Sequence, residues 1–451
     1  MSQDKDHIFD KQDAQSEIEL LGRPSKTVDW APDSKQMYRL KIPPTVYPPK
    51  EDTDLIAKRL IAIGPGKGRK FLEIGCGSGA LCIVAANMGW KVHGCDINPF
   101  AVAASRGNMA SNSQTGDIRE GGVGPEIFPF NEKFDMIVWN LPYVPLTETD
   151  QVLGPMEEAA FLDTDQKGLA QRLMTLVQNN NLLSINGRIL LLGRNESFQT
   201  SDYFAMRKWS EVTFGDNENI LLQCLWKPYE NSPKIYKEIT GSTNDDVLNM
   251  HKTGSHVYTS WQTSGRGRRN RQWFSIEGCY AGSWIVANKE IINPGLIQLA
   301  GGLAVLKSVK NPNLKLKWPN DILLNKRKLC GILAEGVSSK KNTKVVLGIG
   351  INLKSGLLEG LEIASLDEIM EISHSKLDKM LDSQLASLLE EGPDLPPVNY
   401  EEIRKEVLEY MEKLGKPLVD KVVFDNFDLN DNGELIIGDV VVSDGEKVEW
   451  V

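Results

Sequence analysis

Between Met37 and Trp226 short apolar runs alternate with helical stretches, and this rhythm restricts the fold more than any other feature of the chain. Phe71–Ile74, Val92–Cys95, Phe134–Trp139 and Arg188–Leu192 read as strands. Leu81–Met88, Ala101–Ala110 and Leu169–Leu176 read as helices. A βαβ succession demands a mostly parallel sheet with helices on its faces. The block closes on Glu211–Phe214 and Ile220–Trp226, read as a hairpin whose connection carries Gly215, Asp216 and Asn217. The expected fold of the front of the chain is therefore α/β.

The rest of the 451 residues cannot belong to the same core, because single cores stop growing well below this length. Lys227 to Pro233 is short, polar and carries two prolines, so it reads as a linker. Beyond it, helix Leu299–Val309 and strands Leu314–Lys317, Ile332–Gly336 and Val345–Ile351 predict an α+β domain. Asn432-Gly433 and Asp444-Gly445 split the last apolar runs as hairpin turns do, which predicts a small β domain. The expected organisation is a flexible stretch over 1–30 and domains over 31–229, 234–390 and 413–451.

Composition narrows the setting. The net charge of −10 argues against non-specific nucleic-acid binding as the main role. No apolar run approaches the ~20 residues a bilayer requires, and Met1 to Gln15 lacks a signal-peptide core. Six cysteines without a CxxC and five scattered histidines predict a reducing, cytoplasmic setting with no disulfide framework and no metal-ligating residues.

Two groups of residues carry chemistry. In the first, Glu73-Ile74-Gly75-Cys76-Gly77-Ser78-Gly79 follows a predicted strand and opens a helix. Such glycines let the backbone turn tightly and pass close to a ligand. Asp96, after the next strand, is placed to accept from a ribose diol. Spacing alone leaves a nicotinamide nucleotide open. The alternation of Gly75, Gly77 and Gly79 departs from GxGxxG, however, and Glu73 and Asp96 bracket it with negative charge, which disfavours a pyrophosphate. Asn140-Leu141-Pro142-Tyr143 ends a later strand. The Asn140 carbonyl and the backbone carbonyl of Leu141 can accept both hydrogens of a planar amino group, with Tyr143 packing over it.

This block resembles the class I S-adenosylmethionine methyltransferases that modify nitrogens, Rossmann-like enzymes, and more narrowly the release-factor glutamine methyltransferases. Val46-Tyr47-Pro48-Pro49-Lys50-Glu51-Asp52-Thr53-Asp54-Leu55, Asp96-Ile97-Asn98-Pro99, Gly116-Asp117 and Val144-Pro145 add to the likeness. The resemblance implies that Glu73, Gly75, Gly77 and Gly79 wrap the methionine part of the cofactor. It also implies that Asp96 holds the ribose, that Asp117 lies near the adenine, and that Asn140 and Tyr143 face the substrate. Orienting the nitrogen in line with the methyl group would supply much of the rate, without a metal. Leu141 stands where the family usually has proline, so the loop is expected to lose stiffness.

In the second group, Gly265-Arg266-Gly267-Arg268-Arg269-Asn270-Arg271-Gln272-Trp273 concentrates fork donors for carboxylate and phosphate in an otherwise acidic chain. Lys317-Trp318-Pro319-Asn320-Asp321, Lys328 to Glu335 with Gly331 inside it, and Gly348-Ile349-Gly350-Ile351-Asn352-Leu353 follow. Together with Ser242-Thr243-Asn244, Gln262, Trp273-Phe274-Ser275, Gly278 and Ser283, these strongly resemble the catalytic domain of biotin protein ligases. The small β domain matches that family's C-terminal, SH3-like cap in position. The resemblance implies biotin and ATP as substrates with Mg²⁺ assisting the phosphates, and a biotinoyl-adenylate that a lysine of a carrier domain in trans then attacks. Lys317 would stabilise the developing charge. Arg266, Arg268 and Arg271, with Gly265 and Gly267, would form the closing loop. Ser242, Thr243, Asn244, Gln262, Trp273, Asn320, Asp321 and Gly331 would line the pocket, and Lys328 and Asn352 would contact the nucleotide or metal region. Asn270 stands where the family usually has glycine and is expected to tolerate the unusual φ there.

The expectation is a bifunctional enzyme with a carrier domain and a release factor as partners, no DNA-binding domain and no membrane contact. Its alternatives are a front domain that methylates an exocyclic adenine amine, a front domain that only binds S-adenosylmethionine, and a scaffold without catalysis. No Ala-Met-Lys-Met acceptor sequence occurs in the chain.

Overall fold

The computed structural model describes residues 23–124, 127–142, 168–214, 218–290, 292–338, 342–355, 357–358, 361–442 and 444–451. The chain divides into two compact units. The first comprises the chain up to Thr200 together with Met206–Trp226, and the second comprises Ser201–Ala205 and Lys227–Val451.

Among the described residues of the first unit the antiparallel hairpin β1 (Lys26–Asp33) and β2 (Gln36–Ile42) comes first. Among the described residues the first strand starts at Lys26, inside the stretch expected to be flexible up to residue 30. Burial of alternate residues fixes it: Trp30, Tyr38, Leu40 and Ile42 turn inward, and the Trp30 indole N–H donates to Asp54 Oδ1 at 2.7 Å. Asp54 lies in helix α1 (Glu51–Ile63). The sheet then alternates with helices: β3 (Lys70–Ile74), α2 (Ala80–Asn87), β4 (Lys91–Asp96), α3 (Pro99–Ser111), β5 (Asp117–Glu120), β6 (Phe134–Asn140), α4 (Leu169–Asn179), β7 (Leu183–Arg194), β8 (Ala205–Phe214) and β9 (Glu218–Trp226). Its strand order is β5-β4-β3-β6-β7-β9-β8. The five strands from β5 to β7 pair in parallel and β9 runs antiparallel to β7. The mixed sheet with helices is consistent with the Rossmann-like expectation. The connection of the β8–β9 hairpin lies outside the described residues.

Central strands are apolar on both faces, as a sheet covered on both sides requires: Phe71, Leu72, Ile137, Val138, Leu190 and Leu191 are all fully buried. From β3 the chain proceeds to one side through β4 and β5, then crosses to β6 on the other. That reversal opens a crevice at the carboxyl ends of β3 and β6, where open α/β sheets bind ligands.

The second unit is built on a seven-stranded sheet of order β10-β11-β14-β18-β17-β16-β15. Its elements are β10 (Lys234–Thr240), α5 (Thr243–Leu248), β11 (His256–Gln262), β12 (Gly265–Arg266), β13 (Gln272–Trp273), β14 (Tyr280–Lys289), α6 (Pro294–Val309), β15 (Leu314–Lys317), β16 (Asp321–Leu324), β17 (Arg327–Ser338), β18 (Thr343–Ile351), α7 (His374–Leu389) and α8 (Tyr400–Glu412). Only β10 and β11 pair in parallel; the other neighbours are antiparallel, and β12–β13 form a separate two-stranded ribbon. Period-two alternation sorts the faces. Leu316, Ile322, Ile332 and Leu347 meet Gly301 or Gly302 of α6. The alternate residues Lys317, Asp321, Gly331, Gly348 and Gly350 line a cleft on the opposite face. Beyond α8 lie two small antiparallel sheets of three strands each, one containing Pro417–Val419 and the other Leu435–Ile437. Among the described residues no helix is long and apolar enough to cross a membrane.

Candidate active sites of the two units

In the first unit three strand ends meet at the crevice. Gly75, Gly77 and Gly79 all take positive φ, at 62°, 50° and 78°, a region that side chains with a Cβ rarely occupy. Gly79 has a second reason to be glycine: a Cβ there would stand 2.9 Å from Ser105 of α3. Two carboxylates hold the loop. Glu73 Oε2 accepts from the Cys82 N–H at 3.0 Å. Asp96 Oδ2 accepts from the Gly77 N–H at 2.9 Å and its Oδ1 from the Asn98 N–H at 2.9 Å. Burial, with a smaller contribution from the nearby Asp96, pushes the Glu73 carboxyl up to about 8, against the Cys82 N–H bond that favours its ionised form. Burial likewise raises Asp96, opposed by its two backbone N–H bonds. An acidic pair in a backbone cradle with no lysine pairing it among the described residues suits a ligand that brings positive charge and hydroxyl donors.

Asn140 ends β6 at the same rim. Its Nδ2 donates to Asp52 Oδ2 at 2.9 Å, while its Oδ1 is buried with no partner among the described residues. Leu141 gives the loop an anchor that proline lacks: its N–H donates to Leu192 O at 2.9 Å and its side chain is buried. Asp117 starts β5, upstream of the strand end. It pairs in register with His93, three residues before Asp96, and its carboxylate is engaged with Arg119 at 2.6 Å. Glu120 is the residue of β5 that stands beside Asp96. Tyr143 lies outside the described residues.

In the second unit a cleft of about 240 Å³ gathers most of the residues singled out from the sequence: Ser242, Thr243, Asn244, Gln262, Arg266, Gly267, Arg268, Arg271, Trp273, Lys317, Asn320, Asp321, Lys328 and Gly331. The sheet register explains the convergence. Lys317 pairs with Asp321, Asp321 with Gly331, Gly331 with Gly350 and Gly350 with Ala281, so one row across five strands forms the floor. The glycines make room for what lies on that floor. A Cβ at Gly350 would come 2.6 Å from the Trp273 ring and one at Gly331 2.7 Å from it; a Cβ at Gly348 would come 2.4 Å from Asn244 Oδ1.

A buried hydrogen-bond network fixes one end. Gln262 Oε1 accepts from the Thr243 N–H at 2.8 Å and from its hydroxyl at 3.0 Å. Ser283 Oγ donates to Asn244 Oδ1 and lies 2.7 Å from Thr243 Oγ1. At the other end, Asn320 and Ile332 exchange backbone and side-chain bonds, and Gln298 of α6 donates to Pro319 O at 3.0 Å. The Trp318 indole N–H donates to Gly433 O at 2.9 Å, so the C-terminal β region holds the turn that carries Lys317.

The charges are sorted. Arg266 Nη2 lies 2.9 Å from Asp245 Oδ1 and 2.9 Å from Glu335 Oε2. Lys328 Nζ lies 2.7 Å from Asp321 Oδ1. Arg269 pairs with Asp444 at 2.9 Å, and Arg271 pairs with Glu446. Lys317 and Arg268 line the cleft without a side-chain ion pair or hydrogen bond among the described residues. Burial lowers the Arg268 guanidinium from its usual value and Arg269 adds to the effect. The arginine row is thus not four equivalent donors to anions; among the described residues two cations of the cleft form no ion pair and the other four do. The described residues contain no cluster of three ligating side chains. The carboxylates Asp321, Asp444, Glu446 and Glu335 each face a cation.

Some expectations change here. Arg269 of the loop is left-handed, at φ 55°. Asn352 does not line the cleft: its Nδ2 donates to Lys328 O and Ala364 O, which ties a strand to the following segment. Gly265 supports the ribbon beneath Trp273, where a Cβ would strike the Trp273 carbonyl at 2.6 Å. Sequence reading named Glu335 only as the end of a motif and Asp444 only as a turn residue, and gave neither these nor Glu446 a place in the cleft. The first was accessible through period-two alternation from Gly331 and Leu333; the other two come from a distant β region and carried no local signal.

Comparison with known proteins agrees with this division. The family model described as Biotin/lipoate A/B protein ligase family matches residues 236–352, and that of Ribosomal protein L11 methyltransferase (PrmA) matches residues 60–152. A Methanocaldococcus jannaschii protein provisionally named a protein N5-glutamine methyltransferase is 36% identical over 115 residues, which are 25% of this chain and 55% of that protein. The bifunctional ligase/repressor BirA of Bacillus subtilis is 31% identical over 159 residues, 32% of this chain and 45% of that protein. The biotin–[acetyl-CoA-carboxylase] ligase of Paracoccus denitrificans is 29% identical over 223 residues, 44% of this chain and 91% of that protein. The chain thus spans about half the length of the first two of these relatives. Its N-terminal region matches a methyltransferase-like family, and its C-terminal region matches the biotin protein ligase family.

Proposed function

We propose that the second unit joins biotin to a lysine of a carrier domain in trans through biotinoyl-adenylate, and that the first transfers the methyl group of S-adenosylmethionine to a protein glutamine nitrogen. The observation that carries the ligase reading is the pair of cations, Lys317 and Arg268, that form no ion pair among the described residues, beside a floor of glycines in a cleft whose other cations are paired. Attack of a carboxylate on the α-phosphate of ATP brings two anions together, and fixed positive charge at the crowded oxygens lowers that barrier. The carboxylate oxygen forms the new bond to phosphorus as the bond to pyrophosphate breaks. In the second step a lysine amine attacks the mixed anhydride, giving the amide, AMP and a proton. Lys317 serves both steps, since negative charge grows on phosphoryl oxygens in the first and on the leaving AMP in the second. Arg266, held by two carboxylates, roots the loop; Arg268 reaches the ligand. Mg²⁺ would arrive with the ATP phosphates and supply further charge neutralisation.

For the first unit the supporting observation is the buried, unpartnered Oδ1 of Asn140 at the rim of the crevice. It is an acceptor suited to an N–H of the group to be methylated, a requirement that an amide nitrogen meets. The release factors named by the family resemblance are the partner of choice for testing.

Biotin-dependent exchange of pyrophosphate into ATP tests the ligase reading, and its absence in the purified chain refutes it. Methyl-labelled S-adenosylmethionine with desalted extract tests the other. Label lost to protease supports the glutamine target, and label lost to RNase refutes it in favour of an adenine amine. Gly350→Ala gives a further expectation: the Trp273 indole is pushed off the floor, at a cost equivalent to about tenfold in the KM for biotin or ATP. Steady-state exchange kinetics check this, and an unchanged KM would mean that the indole does not border the substrates.

A further inference from the structure

We infer that Asp52 is the positioning residue that turns the Asn140 amide so that its carbonyl oxygen, rather than its amino group, is presented to the acceptor nitrogen. The inference rests on the reading of the first unit as an N-methyltransferase and names the residue on which that chemistry depends. Asp52 lies in the first turn of α1, 88 residues before Asn140, and is buried.

The two ends of an asparagine amide are nearly alike in shape and opposite in chemistry. One accepts hydrogen bonds and the other donates. An acceptor nitrogen carrying N–H groups is held by the first and repelled by the second. A carboxylate oxygen beside the amide chooses between them, because it can accept from Nδ2 but only repel Oδ1. Asp52 Oδ2 takes the Asn140 Nδ2 donor at 2.9 Å. The carboxylate is itself fixed: the Tyr47 hydroxyl donates to Oδ2 at 3.2 Å, and Oδ1 accepts from the Thr53 N–H at 2.6 Å and from its hydroxyl at 3.2 Å.

Asn140 Oδ1 is thereby left buried and unpartnered among the described residues. Native interiors rarely leave a buried acceptor without a hydrogen bond. One that persists is accounted for when a ligand N–H completes it. Asp52 thus keeps the acceptor oriented before substrate arrives, so no rotation of the amide is needed at the moment of transfer.

Two measurements on the full chain test this. The first is side-chain amide exchange of Asn140 by NMR, its resonance assigned by its disappearance in Asn140→Ala. In Asp52→Ala this exchange is expected to rise about tenfold or more; an unchanged rate overturns the orientation. The second is methyl transfer. Asp52→Ala is expected to lower kcat about tenfold or more while the KM for S-adenosylmethionine stays within about twofold. Asp52→Asn, which keeps an acceptor oxygen, recovers part of the loss. A loss that lies wholly in S-adenosylmethionine affinity, or no loss, overturns the assignment. A wild-type chain that methylates no acceptor refutes the N-methyltransferase reading, while amide exchange still decides the role of Asp52.

Discussion

Lys317→Ala is expected to lower the rate of biotin-dependent ATP–pyrophosphate exchange by about 10²–10³, the usual consequence of removing one fixed group that meets developing charge in a site shielded from water. The expectation follows from the sorting of charges in the cleft. Arg266, Arg269, Arg271 and Lys328 already face carboxylates, and transferring one of them to a phosphoryl oxygen would break an existing pair. Lys317 has no pair to break among the described residues, and it stands at one end of the row that continues through Asp321, Gly331 and Gly350. The loss should fall on kcat, because a charge that matters most in the transition state contributes little to the affinity of the ground state. Lys317→Arg keeps the charge but not the compact ammonium, and it should recover only part of the rate. Exchange assays at saturating ATP and biotin check both variants. A Lys317→Ala enzyme with normal kcat and a raised KM would make the lysine a binding group alone and would move the burden of catalysis to Arg268.

The same cleft illustrates what sequence could and could not reveal. Strands of the front sheet and the helices between them were legible because their apolar runs are short, regular and separated by glycine or polar turns. Asp96 and Asn140 were legible because each directly follows such a strand. In the second unit Lys317 was readable from its motif, and its pairing with Asp321 could follow from the tight turn between them. The register of β5 could not be read from sequence: a strand of four residues gives no periodic signal, and its pairing sets Glu120 beside Asp96 and Asp117 beside His93. Asn352 failed because an asparagine after a strand is equally able to bind ligand or to satisfy backbone carbonyls, and nothing local distinguishes the two. Arg269 takes a left-handed turn that its residue type did not signal, because a short arginine-rich loop closes its backbone bond from Arg271 to Arg268 around that residue. Contacts made over long separations, such as Asp52 with Asn140, Trp318 with Gly433 and Arg269 with Asp444, leave no trace in periodicity.

Glu73→Gln is expected to change how stability depends on pH, with the largest gain in alkaline solution. In the folded chain burial raises the Glu73 carboxyl from 4.5 to about 8. A folded-state pKa above that of the unfolded chain means that the native state binds more protons between those two values. Its unfolding free energy therefore falls as pH rises from about 4.5 to about 8, by at most about 1.4 kcal/mol per pH unit from this one group, and is flat with respect to it beyond. Glutamine carries no charge at any pH and keeps an acceptor for the Cys82 N–H, the bond that Glu73 makes. The difference in stability, variant minus wild type, should accordingly rise steadily from pH 5 to pH 8 and then level off. The two units will unfold separately or overlap. The transition to follow is the one that S-adenosylmethionine shifts to higher denaturant, since a ligand stabilises only the fold that binds it. A cationic ligand near this carboxyl favours its ionised form, so wild-type protein should also release protons on binding near pH 7. Calorimetry in buffers of different ionisation enthalpy reads that release, and Glu73→Gln should reduce it. A stability difference that does not vary with pH would mean that Glu73 is already ionised in the folded chain. In that case the acidic cradle would meet its cofactor fully charged, and Asp96 rather than Glu73 would be the group left to titrate.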